Sequence, residues 1–255
     1  MEERESNRIG FVAGTWPLDP ANPTLLFIHG SGGTSALWQG QIDALTARAN
    51  TVALDLPGRG RSKGAGMSRM QDYARAVMDF VDELEAPRPI PCGLSLGGGI
   101  VQQLLLDYPD RFSAGILIGT GARLRVIPAI LEGIEKDYET HLSGTAAIAA
   151  SPKTDPALLE PLVEEMALCP PEVALGDFQA CDAFDVMERL SEIQVPVLVI
   201  SGEDDKLTPP KYGAYLEQHI KNAERVHIMD AGHLSPLEKS AEVNQGILDF
   251  LDRAL

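Results

Sequence analysis

In Ile90-Pro91-Cys92-Gly93-Leu94-Ser95-Leu96-Gly97-Gly98-Gly99 a short apolar run leads into a serine set between two glycines, and those glycines open a helix. The run Ile90 to Leu94 has the length and borders of a buried strand, and Val101, Leu104, Leu105 and Tyr108 beyond it fall on one helical face. Gly93-Leu94-Ser95-Leu96-Gly97 therefore fits the G-x-S-x-G turn that presents a serine hydroxyl at the end of a sheet. A serine hydroxyl becomes a nucleophile when the backbone approaches closely around it and a helix N-terminus faces the developing negative charge. Gly93 and Gly97 supply the clearance, and Gly98 and Gly99 extend it. Ser95 is the candidate nucleophile.

On either side of this turn, apolar runs recur at Leu25 to Ile28, Thr51 to Leu54, Ala114 to Ile118, Val195 to Ile200 and Arg225 to Met229. Helical faces lie between them: Trp38, Ile42 and Leu45; Tyr73, Val77, Phe80, Val81 and Leu84; a helix from about Pro210; and a closing helix with Val243, Ile247, Phe250 and Leu251. Such alternation builds right-handed crossovers, so the fold class is α/β with a mostly parallel central sheet flanked by helices. The alternation stops between Gly121 and Arg189, where Leu159, Leu162, Val163 and Met166 continue a helical pattern without a strand. Prolines at 128, 152, 156, 161, 170 and 171 cut that segment into short helices. The expected organisation is a core of residues 1–121 and 190–255 carrying a helical lid, or cap, of residues 122–189.

Two more groups sit where strands end. Ser201-Gly202-Glu203-Asp204-Asp205 follows one strand, and Asp230-Ala231-Gly232-His233 follows the next. Ligands and catalytic groups gather at the carboxyl ends of parallel strands. His219, His227 and His141 fall in a helix, a strand and the cap, which leaves His233 as the candidate base. The residues alone leave Asp204 and Asp205 both open as its partner, because adjacent side chains in the loop after Gly202 point in different directions. Cys92 ends an apolar stretch and reads as a buried, inert thiol. With Cys169 and Cys181 it makes an odd set without metal-ligand spacing, so the cysteines are expected to be reduced and structural.

A chain of 255 residues with 44% hydrophobic and 23% charged residues has the composition of a folded globular domain. Its net charge of −16 repels phosphate backbones and anionic headgroups, so neither nucleic acid nor a membrane is an expected partner. Met1 to Arg8 is polar and charged, and no apolar run has the length of a spanning helix or secretory segment. The expected location is cytoplasmic.

Together His29-Gly30-Ser31-Gly32-Gly33, Asp55-Leu56-Pro57-Gly58-Arg59-Gly60-Arg61-Ser62, the turn around Ser95, and the pair Gly202-Glu203-Asp204-Asp205 and Gly232-His233 resemble a lid-bearing α/β-hydrolase from first strand to last helix. The resemblance implies an oxyanion hole built from the backbone N–H groups of Ser31 and Leu96. It also implies Asp205 as the acid, since the family's acid is usually the third residue after that first glycine. Ser95, His233 and Asp205 would then cleave a small carboxylic ester through an acyl-enzyme, with no metal or organic cofactor. Cys92-Gly93-Leu94-Ser95-Leu96-Gly97-Gly98 is similar to the turn of bacterial enol-lactonases, which keeps lactone opening as an alternative, with carbon–carbon bond hydrolysis on the same three residues as another. Arg59 stands where relatives commonly carry histidine. Leu94 stands where carbon–carbon hydrolases usually carry asparagine, and serine at 95 argues against the dehalogenases and epoxide hydrolases that use aspartate.

The cap is expected to cover Ser95, with Gly30, Leu124, Ile127, Leu207 and Leu234 lining an apolar pocket. Arg123 and Arg125 read as solvated or salt-bridged surface charges, with a site for a substrate carboxylate as the alternative. Replacing about Ala122 to Glu188 is expected to alter substrate preference more than attack on acetates, because the catalytic groups lie outside it. A non-catalytic receptor on the same fold is the rival reading, and sustained ester turnover separates the two.

Overall fold

The computed structural model describes residues 2–6 and 8–254; Met1, Asn7 and Leu255, which belong to the expected core, lie outside the described residues. One sheet of eight strands runs through it, in the order β1-β2-β4-β3-β5-β6-β7-β8. The strands are β1 (Glu2–Ser6), β2 (Ile9–Ala13), β3 (Thr24–Ile28), β4 (Asn50–Leu54), β5 (Ile90–Leu94), β6 (Gly115–Ile118), β7 (Val197–Gly202) and β8 (Ala223–Ile228). From β4 to β8 all neighbours are parallel, whereas β1 pairs antiparallel with β2, and β2 with β4.

Successive side chains of a strand face opposite sides of the sheet, and the core divides accordingly. Leu26, Ile28, Val52, Leu54 and Val199 pack on one face against α2 (Met70–Leu84) and α3 (Leu96–Asp107), while Leu25, Phe27, Cys92, Ile116 and Ile200 pack on the other against α1 (Gln39–Leu45) and α10 (Ser240–Ala254). A sheet covered on both faces needs apolar residues at nearly every position, which is why β3, β4 and β5 are buried throughout. The face of α2 read from the sequence is the buried one, with Tyr73, Val77, Phe80, Val81 and Leu84 inside, and left-handed Glu85 stops the helix at φ +54°.

Between β6 and β7 stand α4 (Pro128–Lys136), α5 (Tyr138–Ala149), α6 (Glu160–Ala167) and α7 (Pro171–Ala183), three of them with proline in the first turn. The two ends of the segment meet where Val186 N–H donates to Ala122 O at 2.8 Å, beside a bridge between Arg123 and Asp185. After β7, α8 (Pro210–His219), β8 and α9 (Ser235–Glu238) complete the chain before α10. Among the described residues no helix is long and apolar enough to cross a membrane.

Two differences from the sequence reading have local causes. The antiparallel strands β1 and β2 were not expected: β1 is a charged edge, Glu2-Glu3-Arg4-Glu5-Ser6, that resembles a solvated tail, and β2 is only five residues long. The strand expected from Val195 begins at Val197, because Pro196 has no N–H to give to a ladder.

Candidate active site

Ser95 occupies the sharp turn between β5 and α3 with φ 57° and ψ −116°, a conformation that costs a non-glycine residue about 1–3 kcal/mol and persists only where its surroundings enforce it. They do so through three hydrogen bonds: Ser95 N–H donates to Ile118 O at 3.0 Å, and Ser95 O accepts from Gly99 N–H at 3.0 Å and from Thr120 Oγ1 at 2.9 Å. The glycines permit the close approach. A Cβ on Gly93 would meet the Gly97 carbonyl at 2.2 Å, and one on Gly97 would meet Ile28 O at 2.2 Å. Leu96 begins α3, so its N–H has no acceptor within the helix and is left to face the turn.

The loops after β7 and β8 bring Asp205 and His233 together. His233 Nδ1 lies 2.9 Å from Asp205 Oδ2, with both side chains buried. Asp205 accepts in addition from the Leu207 and Thr208 N–H groups at 2.9 and 2.8 Å and from Thr208 Oγ1 at 2.7 Å. Burial pushes the Asp205 carboxyl up, but the His233 charge, the hydrogen bond from His233 and those from Thr208 outweigh it and hold the group below its ordinary value. An ionised Asp205 accepts the Nδ1 proton and leaves Nε2 of His233 free to accept another. Asp204 turns away: it accepts from Ser151 Oγ at 2.5 Å, so it meets the cap rather than capping a helix. Glu203 is exposed and accepts from Asp230 N–H at 3.2 Å.

The loop after β3 lies against the serine, and a Cβ on Gly30 would stand 3.3 Å from Ser95 Cβ. Buried His29 organises this loop. Its Nε2 accepts from Leu56 N–H at 2.9 Å, so the ring proton belongs to Nδ1, which donates to Gly30 O at 2.8 Å. Burial, with the nearby Arg59 charge, lowers the His29 pKa from 6.5 to about 4 and keeps the ring neutral. Asp55 pins the neighbouring loop by accepting from Ser35 N–H at 2.7 Å and Arg61 N–H at 2.8 Å.

One helix of the cap reaches the loop after β3. Asp177 on α7 accepts from Gly32 N–H at 2.9 Å and forms a fully buried bidentate ion pair with Arg59, while Cys181 Sγ on the same helix lies 3.8 Å from Ser31 Oγ. The sequence reading did not single out Asp177. Its only signal was Arg59, a guanidinium set between Gly58 and Gly60 that would need a carboxylate partner once buried.

Two cavities meet at Ser95. The first is bordered by Gly30, Ser31, Leu94, His233 and Leu234 from the core and by Leu159, Leu162, Val163, Met166 and Phe178 from the cap. The second is bordered by Ser31, Leu124, Val126, Ile130, Cys181 and Tyr212, and Leu207 and Phe178 line both. Of the expected pocket residues, Gly30, Leu207 and Leu234 thus border the first and Leu124 the second. Ile127 borders neither: it stands ahead of α4 with extended backbone and is 64% exposed, outside the buried face of that helix. Arg123 and Arg125 are exposed, 3.7 and 3.9 Å from Asp185 and Asp182, and Arg125 also borders the second cavity. All three thiols are free and buried; burial pushes Cys92 well up and Cys181 to about 12.

The chain is 28% identical over 239 residues to 3-oxoadipate enol-lactonase 2 of Acinetobacter baylyi, an alignment covering 91% of this chain and 89% of that one. It is 28% identical over 234 residues to the pimeloyl-acyl-carrier-protein methyl ester esterase of Pectobacterium carotovorum, covering 86% and 90%. Among solved structures, a thermophilic esterase superposes with a TM-score of 0.83 at 32% identity, over 99% of this chain and 97% of that one. The family model for the alpha/beta hydrolases matches residues 25–245, the span that holds the serine turn, both strand-end loops and the cap, and the chain belongs to the alpha/beta hydrolase family.

Proposed function

We propose that this protein hydrolyses carboxylic esters through a covalent acyl-Ser95 intermediate. The observation that carries the reading is the convergence of a strained serine, a buried histidine–carboxylate pair and the glycine loop after β3 beside one apolar cavity. Ser95 Oγ attacks the ester carbonyl while His233 Nε2 takes its proton. Asp205 holds the Nδ1 proton and stabilises the imidazolium. The Ser31 and Leu96 amides donate to the oxyanion, a type of contact worth about 3–4 kcal/mol per donor. The imidazolium then protonates the departing alkoxide, and a water molecule, deprotonated by the same nitrogen, releases the acid and restores Ser95.

Leu162, Val163 and Met166 give the acyl side of the substrate an apolar wall, which favours an aliphatic group over a charged one. A lactone differs from an open ester only in that its leaving hydroxyl stays attached, and the likeness to an enol-lactonase makes the cyclic substrate a second reading on the same atoms. The test is initial rates of purified protein on p-nitrophenyl esters from acetate to decanoate and on simple lactones. Sustained turnover of several esters, rising beyond acetate, is expected. Stoichiometric binding without turnover on the whole panel would leave a receptor.

A further inference from the structure

We propose that Asp177, carried by cap helix α7, is a positioning residue for the oxyanion loop, so that the cap completes the catalytic site as well as covering it. The inference rests on the hydrolase reading above.

The N–H and C=O of a trans peptide point in opposite directions, so fixing one aims the other. Ser31 lies between two such peptides. In the first, Gly30 O accepts from His29 Nδ1 at 2.8 Å and from Gly33 N–H at 3.2 Å, which turns the Ser31 N–H away from those donors. In the second, Gly32 N–H donates to Asp177 Oδ2 at 2.9 Å, and Gly32 has φ +69°, a conformation that glycine alone adopts without strain. The core therefore clamps one peptide plane beside Ser31, and the cap clamps the other.

Asp177 is held for this task on every side. Its carboxylate takes both Arg59 nitrogens, one of them at 2.7 Å on Oδ1, and the Tyr73 hydroxyl at 2.5 Å on the same oxygen. Arg59 and Asp177 side chains are both 0% exposed. A buried ion pair contributes little net stability against a well-packed apolar pair, so its charges do not account for it as a mere cap fastener. The amide it holds, next to the Ser31 donor, gives it a use.

The experiment separates the acceptor from the ion pair. Arg59→Met with Asp177→Asn removes both charges and keeps an oxygen for Gly32 N–H, whereas Arg59→Met with Asp177→Leu removes the charges and the acceptor. Steady-state kinetics on an ester, affinity for an alkyl boronic acid whose tetrahedral adduct on Ser95 occupies the oxyanion position, and thermal unfolding are read for both. The Leu pair is expected to lose about ten- to a hundredfold in kcat and similarly in boronate affinity, with KM within about threefold, while the Asn pair stays within about threefold of wild type. Arg59→Met with Asp177→Val, which also lacks the acceptor, replaces the Leu pair if that protein does not fold. Equal kcat and boronate affinity in the two folded pairs, whatever their unfolding temperatures, would overturn the inference alone. A wild type without turnover or boronate binding would overturn it together with the hydrolase reading.

Discussion

The two walls around Ser95 are built by different means. On the core wall, position is set by backbone: parallel strands end in loops whose glycines touch the next element's main chain, and His29, Asp55 and Asp205 are buried acceptors of backbone N–H groups. The cap wall is made mostly of side chains on short helices, with one main-chain contact, Ala149 O accepting from His233 N–H at 2.6 Å. Four of the five large hydrophobic residues that stand exposed among the described residues, Ile127, Ile148, Leu158 and Leu168, belong to the cap, outside both cavities. The difference teaches where each property resides. The core leaves no room for a side chain at Gly93 or Gly97, while the cap shapes the pocket with apolar side chains and touches the candidate site at two polar points, Asp177 on Gly32 N–H and Ala149 O on His233 N–H.

Substitutions on the core wall should break turnover outright. Ser95→Ala is expected to reduce kcat by about 10⁶, since losing the nucleophile removes the covalent route while binding persists. Circular dichroism should show the fold unchanged, and a variant retaining more than about a hundredth of wild-type kcat would contradict the assignment. The next effect separates neighbours. Asp205→Asn should cost about 10⁴ in kcat because an amide at that place favours the wrong imidazole tautomer. Asp204→Asn should cost less than about tenfold, since its partner is Ser151 and not the histidine. A crippled Asp204 variant beside an active Asp205 variant would reverse the pairing.

On the cap wall the expected changes are smaller and selective. Leu162→Ala or Met166→Ala should shift the ratio of octanoate to acetate kcat/KM by about tenfold, as a few methylene contacts are worth about 1–3 kcal/mol, with acetate turnover nearly unchanged. If acetate and octanoate fall together, those residues support the site rather than line it. The smallest effect is one of stability. His29 is neutral in the folded protein with its pKa lowered to about 4, against 6.5 for an exposed histidine, so between these values the unfolded chain binds the extra proton. Its contribution is therefore complete above pH 6.5 and is lost as pH falls toward 4. Tm should drop by about 5–10 °C across that interval, and His29→Gln, less stable at neutral pH, should show a flatter curve. Parallel curves would place the acid sensitivity elsewhere.

Much of the core was legible in the sequence because buried parallel strands leave unbroken apolar runs, as at Leu25 to Ile28 and Ile90 to Leu94, and because a serine turn demands glycine at fixed positions. The antiparallel pair β1 and β2 was not, since an exposed edge strand carries charges and mimics a tail. The choice between Asp204 and Asp205 came from the family resemblance; only the loop geometry brings Asp205 to the Nδ1 of His233. Asp177 escaped notice because its partners, Arg59 and Gly32, lie 118 and 145 residues away in the chain. Ile127 was misplaced for a related reason: an apolar residue beside a cap helix has no local mark of which side will face the pocket.

The central claim is that Ser95 is the atom to which substrate becomes attached, and a fluorophosphonate tests it most directly. Wild-type protein treated with the reagent and digested should give one adduct, located by mass spectrometry on the peptide containing Ser95, with turnover lost in proportion to labelling. Pretreatment with a thiol-blocking reagent should leave that adduct in place, because Cys92 is buried with its thiol held well above the usual range. An adduct on Cys92, or ester turnover that persists in fully labelled protein, would contradict the account.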